Sequence, residues 1–409
     1  MSRKSLKATV FLLLVLNLRT VICLEPITSS IVGAIGAIGL GAIYSTWDYL
    51  KCSSHECCHN VGDSKRLTKD ESGWHREPWI DYQMNKLDNN LNHELHGQHL
   101  VKTIVPKLIR QHMRNENPEK ALVLSFHGWT GSGKNFVSEI VARNIFRKYR
   151  DDGKSNFVRH FICNHFNTND KLLIKDWIKN NITNVVKTCQ RSLFIFDEID
   201  KLPEGVIDAI KPFVDYNKFV DSIDYRKTIF IFLRFCLNIS HFFTFFRIFS
   251  HFFAFYSFYY FLNSNTGGTG ITKKSYEFHL LGKKRTDLRM KDLEPLINSG
   301  AFNENGGLHR SDIVEKNLIN AFVPFLPLEK RHIKLCIIDY LKLHHNYSDP
   351  LTHPGEEFIR EVRHRHFDSY LIYFTAQVAN EMEYYPPDTQ IYSRTGCKRV
   401  GSKVDASLD

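Results

Sequence analysis

Acid is missing from a long part of this chain: no Asp or Glu stands between Asp224 and Glu277. Inside that gap residues 234–263, RFCLNISHFFTFFRIFSHFFAFYSFYYFLN, hold eleven Phe and three Tyr. A run so apolar is a membrane span, a piece of core, or a stretch foreign to the fold. Two further absences narrow the class. No block of Lys and Arg with interleaved aromatics occurs, which removes the phosphate-tracking groove of a nucleic-acid binder despite a formal charge of +10. Four of those charges, Arg3, Lys4, Lys7 and Arg19, lie in an N-terminal segment without acids, so the remaining chain carries +6. No CxxC pair occurs either. The cluster of Cys52, Cys57 and Cys58 with its histidines therefore favours a local disulfide staple over a zinc site.

The N-terminus has the form of a secretory signal peptide over residues 1–23. Arg3, Lys4 and Lys7 precede the apolar stretch 8–16, and Val21 and Cys23 are tolerable at a cleavage site. Entry into that pathway is oxidising, so cysteines can pair. Residues 24–59 follow as a hydrophobic segment and the cysteine cluster. Its stretch 26–47, PITSSIVGAIGAIGLGAIYSTW, has no charge and is long enough to enter a bilayer. Its Gly/Ala richness favours a membrane-associating hairpin over a full span. Acceptor triplets at Asn181, Asn238 and Asn346 fit a glycosylated lumenal protein.

The informative chemistry sits between residues 119 and 200. An apolar run of strand length, residues 121–126, precedes Gly128-Trp129-Thr130-Gly131-Ser132-Gly133-Lys134-Asn135, and Phe136, Ile140, Val141 and Ile145 then recur at helical spacing. Strand–GxxxxGK–helix is a phosphate loop. Its glycines let backbone N–H groups curl around phosphate oxygens, and Lys134 supplies charge to the β and γ phosphates. Asn135 stands where Ser or Thr usually offers a hydroxyl to Mg²⁺; its amide carbonyl is also a hard oxygen ligand. Later, residues 192–200 read SLFIFDEID: an apolar strand delivering Asp197 and Glu198 at its C-terminal end. Asp197 suits Mg²⁺, and Glu198 suits deprotonation of the attacking water. Together these define a nucleotide hydrolase core using ATP and Mg²⁺.

The combination HGWTGSGKN, LFIFDEIDK with IDAIKPFVDY, INAFVPFLPLEKRH and TGCK resembles the torsins over residues 92–398. Torsins are AAA+ ATPases of the Clp-like branch, found in the endoplasmic reticulum lumen and perinuclear space. The resemblance implies an α/β fold: a P-loop AAA+ large domain with a parallel sheet flanked by helices, over residues 60–310. A small C-terminal helical domain follows over 311–409. It assigns Gly97 and Gln98 to the wall of the adenine pocket, Lys398 to the second sensor, and Asn265 to the polar sensor at the γ phosphate. It pairs Cys336 with Cys397. It also implies an oligomer, with itself or with the lumenal domain of a transmembrane activator like lamina-associated polypeptide. That activator supplies the arginine that remodelling of membrane-associated complexes needs, because Leu318 stands at the arginine position of Asn317-Leu318-Ile319-Asn320. No aromatic–aliphatic–Gly pore loop is found in residues 157–180.

Against that family pattern the phenylalanine run is an interruption. Removing residues 234–263 joins Leu233 to Ser264-Asn265-Thr266-Gly267-Gly268, as torsins continue. Residues 363–377 interrupt a later helix in the same way. Both fall inside elements, where insertions are poorly tolerated, so both are read as unspliced introns in the gene. A membrane-spanning protein built on the run, and a nucleotide-gated scaffold with negligible hydrolysis, are the competing readings.

Overall fold

The computed structural model describes residues 56–58, 66–70, 73–77, 79–81, 84–166, 170–235, 267–303, 306–344 and 371–408. Two compact units divide the chain, Met1–Pro78 and Trp79–Asp409. The first contains an antiparallel hairpin, β1 (Arg66–Asp70) and β2 (Gly73–Glu77), with Arg66 opposite Glu77. Cys57 and Cys58 are disulfide-bonded, and no metal-holding cluster exists among the described residues. The signal segment, residues 26–47 and most of the phenylalanine run lie outside the described residues. Among those described, no helix is long and apolar enough to cross a membrane.

The second unit is built on five parallel strands in the order β4–β5–β6–β3–β7. They are β3 (Leu122–Gly128), β4 (Val158–Ile162), β5 (Leu193–Asp197), β6 (Ile229–Phe235) and β7 (Ala321–Phe325). Every residue of β3 is buried, because a central parallel strand is covered on both faces and must read as a continuous apolar run. Phenylalanines tie adjacent strands: Phe161 stacks on Phe196 at 4.5 Å and Phe194 on Phe230 at 5.1 Å. Such cross-strand aromatic pairs each contribute about 0.2–1 kcal/mol. Helices α1 (Leu87–Glu94), α2 (His99–Arg114), α3 (Lys134–Ile145), α4 (Lys171–Thr188), α5 (Gly267–Leu280) and α6 (Met290–Asn303) cover the sheet. Asp170 caps α4, its carboxylate accepting from the N–H groups of Leu172 and Leu173.

A separate apolar cluster marks the small domain. It joins Leu328, α7 (Lys330–His344), the helical residues 371–380 and α8 (Val400–Leu408) around Ile333, Ile337, Val378 and Val404.

Three boundaries differ from the sequence reading. The large domain does not begin at 60, since the hairpin belongs to the first unit. It does not end at 310: β7 pairs with β3 from Leu124↔Ala321 to Gly128↔Phe325, and Leu326 is still in the sheet core. Residues 311–326 read as helical-domain sequence because β7 has only five residues and carries Pro324, which edge strands tolerate. Strand β6 does not stop at Leu233 but continues through Arg234 and Phe235. Residues 371–377 run helically into Val378–Asn380 with Phe374 buried, and the rest of the 363–377 segment lies outside the described residues.

Candidate active site

The phosphate loop springs from the end of β3 and feeds α3, whose N-cap is Gly133 at φ +103°. Gly131 at φ +68° lies in the left-handed region, where a side chain costs about 1–2 kcal/mol per residue. Lys134 is buried, and its Nζ donates to the carbonyls of Gly128 and Trp129, each at 2.8 Å. The ammonium thus closes on the loop's own oxygens, in the position from which it would turn to a phosphate. Ser132 Oγ donates to Trp129 O at 2.7 Å, tightening the same turn.

Two strands away, β5 ends on Asp197. The Asn135 amide donates to Asp197 Oδ2 at 2.7 Å, so the two residues assigned to magnesium meet directly. Glu198 follows with φ +53°, ψ +43°, an uncommon conformation for a residue with a side chain. Its N–H donates to Asp197 Oδ1 at 2.9 Å. Strained backbone of this kind costs about 1–3 kcal/mol and clusters where geometry serves function. The carboxylate oxygens of Asp197 and the amide oxygen of Asn135 are hard donors on neighbouring side chains, so the set fits Mg²⁺.

Between β3 and β5 lies β6, whose end must face the γ phosphate. Its last two rungs, Arg234 and Phe235, pair with His127 and Gly128. Arg234 is buried and donates to the carbonyls of Gly300 and Ala301 in the last turn of α6. Asn265 lies outside the described residues.

Gly97 and Gln98 do sit against the loop, in a different role from a simple base wall. Gln98 is 1% exposed; its amide donates to Ser132 O at 3.0 Å and Leu326 O at 2.8 Å, and accepts from Leu326 N–H. It braces the phosphate loop against the end of β7. Gly97 packs its Cα against the His332 ring, and Arg285 holds its carbonyl through two bonds of 2.8 and 3.0 Å. His96 meets Asp339 of α7 at 2.5 Å.

The small domain reaches the loop through residues 394–397, a contact with the phosphate loop that the sequence reading did not anticipate. Trp129 Nε1 donates to Arg394 O at 2.6 Å, its ring lies 5.5 Å from Tyr385, and Cys397 N–H donates to Gly131 O at 3.2 Å. A Cβ on Gly131 would stand 1.8 Å from Thr395 O, and one on Gly396 would stand 2.1 Å from Gly131 O. Cys336 and Cys397 form a disulfide that anchors this turn to α7. Lys398 is exposed, one residue beyond the contact. A Trp inside a phosphate loop was the one visible signal of this latch. Asn181 lies half-exposed in α4 with its amide donating to Trp177 O, and the Thr183 hydroxyl lies 3.0 Å from that of Tyr225. Asn346 and Asn238 lie outside the described residues.

Leu318 is 2% exposed within the sheet core, and Asn317 before it has φ +54°. Lys120 Nζ donates to Leu318 O and to Asn320 Oδ1, and burial pushes its pKa down to about 8. This position is packing, and no side chain there can reach a neighbouring subunit. Arg310, the nearest arginine in sequence, is exposed at φ +45°.

A phosphate loop on one strand and an Asp-Glu pair on the next but one, in an all-parallel sheet with an appended helical domain, define a P-loop AAA+ ATPase. Comparison with known proteins narrows the class. Residues 72–196 match the Torsin family, and residues 361–406 match the Torsin-1A C-terminal domain. A torsin-like protein of Caenorhabditis elegans is 35% identical over 379 residues, covering 92% of this chain and 87% of the relative. One of Drosophila melanogaster is 30% identical over 407 residues, covering 99% and 97%. The chain belongs to the torsin family. Among solved structures, the S. cerevisiae Hsp104–ADP complex matches with a TM-score of 0.48 and 14% identity over 79% of this chain, which spans 46% of that one.

Proposed function

We propose that this chain binds ATP with Mg²⁺ and hydrolyses it in the endoplasmic reticulum lumen and perinuclear space, remodelling membrane-associated complexes with a partner that supplies an arginine. The observation that carries the hydrolytic reading is the meeting of Asn135 with Asp197 at 2.7 Å beside the strained Glu198. In the reaction Lys134 leaves the Gly128 and Trp129 carbonyls for the β and γ phosphates. Glu198 takes a proton from water as its oxygen attacks the γ phosphorus, and the bond from that phosphorus to the ADP oxygen breaks. Bound magnesium supplies charge neutralisation across the phosphate oxygens, held by Asp197 and Asn135.

The buried Leu318 supports a partner-supplied arginine: hydrolysis by the chain alone lacks a contribution of about 10³–10⁵ in rate. The leader and the charge-free residues 26–47 support the lumenal, membrane-associated location. The test is Glu198→Gln, which keeps the shape and loses the base. It should retain ATP while turnover stops, with or without activator; turnover at the parental rate would overturn the assignment. An activator Arg→Ala variant should bind without stimulating.

A second reading has one observation in its favour. In the chain as written, Phe235 occupies the last rung of β6 beside Gly128, where the family pattern expects the polar sensor Asn265. Such a chain would hold nucleotide as a scaffold without cleaving it, and comparing turnover before and after removal of residues 234–263 separates the two.

A further inference from the structure

Gly97 and Gln98 form one wall of a cavity of about 800 Å³ whose lining includes no phosphate-loop residue. It opens between the start of α2, the end of α5 with the turn after it, and the start of α7. Lys102, Lys283, Lys284, Arg285 and Arg331 line it against one carboxylate, Glu329. That carboxylate is already shared: Arg285 approaches it at 3.4 Å and Arg331 at 2.9 Å. Among the described residues, the ammonium groups of Lys102, Lys283 and Lys284 form no ion pair; Lys102 donates to Asn92 O, Lys283 lies over the Phe278 ring at 5.0 Å, and the Lys284 backbone N–H donates to Asp287 Oδ2. Arg285 is spent on Gly97 O and Pro327 O, so it contributes field and rigidity, while the exposed Lys283 and Lys284 supply the charge that can turn inward.

Burial pushes the His332 pKa down to about 3, with Arg285, Arg331 and Lys102 adding to the effect. Burial likewise lowers Arg285 to about 10 and depresses Lys102. Concentrated positive charge in a concave, half-enclosed space is unfavourable alone and is relieved by an anion. Lysines act as point charges that suit phosphate, and several of them suit more than one phosphate group. Phe278, Leu288 and Leu335 on the remaining wall offer apolar contact to the body of a ligand.

We infer that this cavity is a second anion site, distinct from the nucleotide site, which takes a molecule carrying two or more phosphates on a small non-nucleotide body, either a soluble polyphosphate or a phosphorylated lipid headgroup. The experiment uses the full chain carrying Lys134→Ala, so that the phosphate loop cannot account for binding. Inositol hexakisphosphate is titrated calorimetrically, and sedimentation is measured with phosphatidylcholine vesicles with and without phosphatidylinositol bisphosphate. Binding is expected in this background, weakened about tenfold or more by Lys283→Glu with Lys284→Glu, two exposed positions, with circular dichroism checking that the fold is retained. Calorimetric binding without vesicle binding assigns a soluble anion. Vesicle binding that depends on the bisphosphate and on both lysines assigns a headgroup. Absence of binding to either probe, or binding unchanged by the lysine reversals, overturns the site. Loss of hydrolysis in Glu198→Gln has no bearing on these outcomes.

Discussion

Strands β3 and β6 are neighbours in one sheet, paired rung for rung from Leu122↔Ile229 to Gly128↔Phe235, yet they end in opposite ways. The first delivers a complete phosphate loop at its tip. The second delivers Arg234 and Phe235 where the family pattern puts Ser264 and Asn265. Pairing does not register the difference, because a buried parallel strand asks only for apolar, β-prone residues and satisfied backbone. Phe235 meets that demand as well as a sensor would, and Arg234 finds its carbonyls on α6. Sheet formation therefore places no demand on the residue at the tip of β6 beyond its fit to the strand.

The largest test of that contrast is Lys134→Ala, which should abolish detectable ATP binding by calorimetry while leaving β3 and the sheet folded. Measurable affinity near the parental value would mean the loop is not the phosphate site. Next comes joining Leu233 to Ser264, measured with activator present. Restoring the polar end of β6 should raise turnover by about 10²-fold or more, the size expected when a positioned hydrogen-bonding group returns to a phosphate site. If the rejoined chain were no faster, the lesson drawn from β6 would fail.

Gly131→Ala sharpens the other side of the comparison. At φ +68°, with Thr395 O in the way of any Cβ, it should destabilise by several kcal/mol, beyond the roughly 1–2 kcal/mol of backbone strain alone. Thermal unfolding followed by small-domain probes would read it. A smaller effect is expected from Trp129→Phe, which keeps the ring beside Tyr385 and deletes the bond to Arg394 O: about 1 kcal/mol, seen as a lowered melting temperature.

The broadest effect is acid sensitivity. Burial holds His332 near pKa 3 and His112 near 4, both below the unfolded value of 6.5. Below pH 6.5 the unfolded chain takes up protons that the folded chain refuses, so stability falls as pH drops toward 4. The slope reaches at most about 1.4 kcal/mol per pH unit for each histidine. Equilibrium denaturation at pH 7.5 and 5 should show it, and His332→Gln should flatten its share. An unchanged pH slope in that variant would remove His332 from the explanation.

The sequence by itself determined the elements whose cause is local. Residues 121–126 are a strand and residues 134–145 a helix because the apolar period switches from continuous to 3.6 across a glycine turn. Asp197 and Glu198 fall at a strand end because four apolar residues precede them. The lack of an arginine at Leu318 could be read directly from the order of residues. Only the tertiary structure decided what depends on partners distant in the chain. Gln98 braces Ser132 and Leu326 across 228 residues; Trp129 reaches Arg394; Gly131 and Gly396 are glycines because they lie face to face. Strand β7 belongs to the sheet because β3 needs an edge partner, although its own five residues show little period. Such contacts leave no periodic trace, since each side meets its own local rules and their coincidence in space follows from how the whole chain packs.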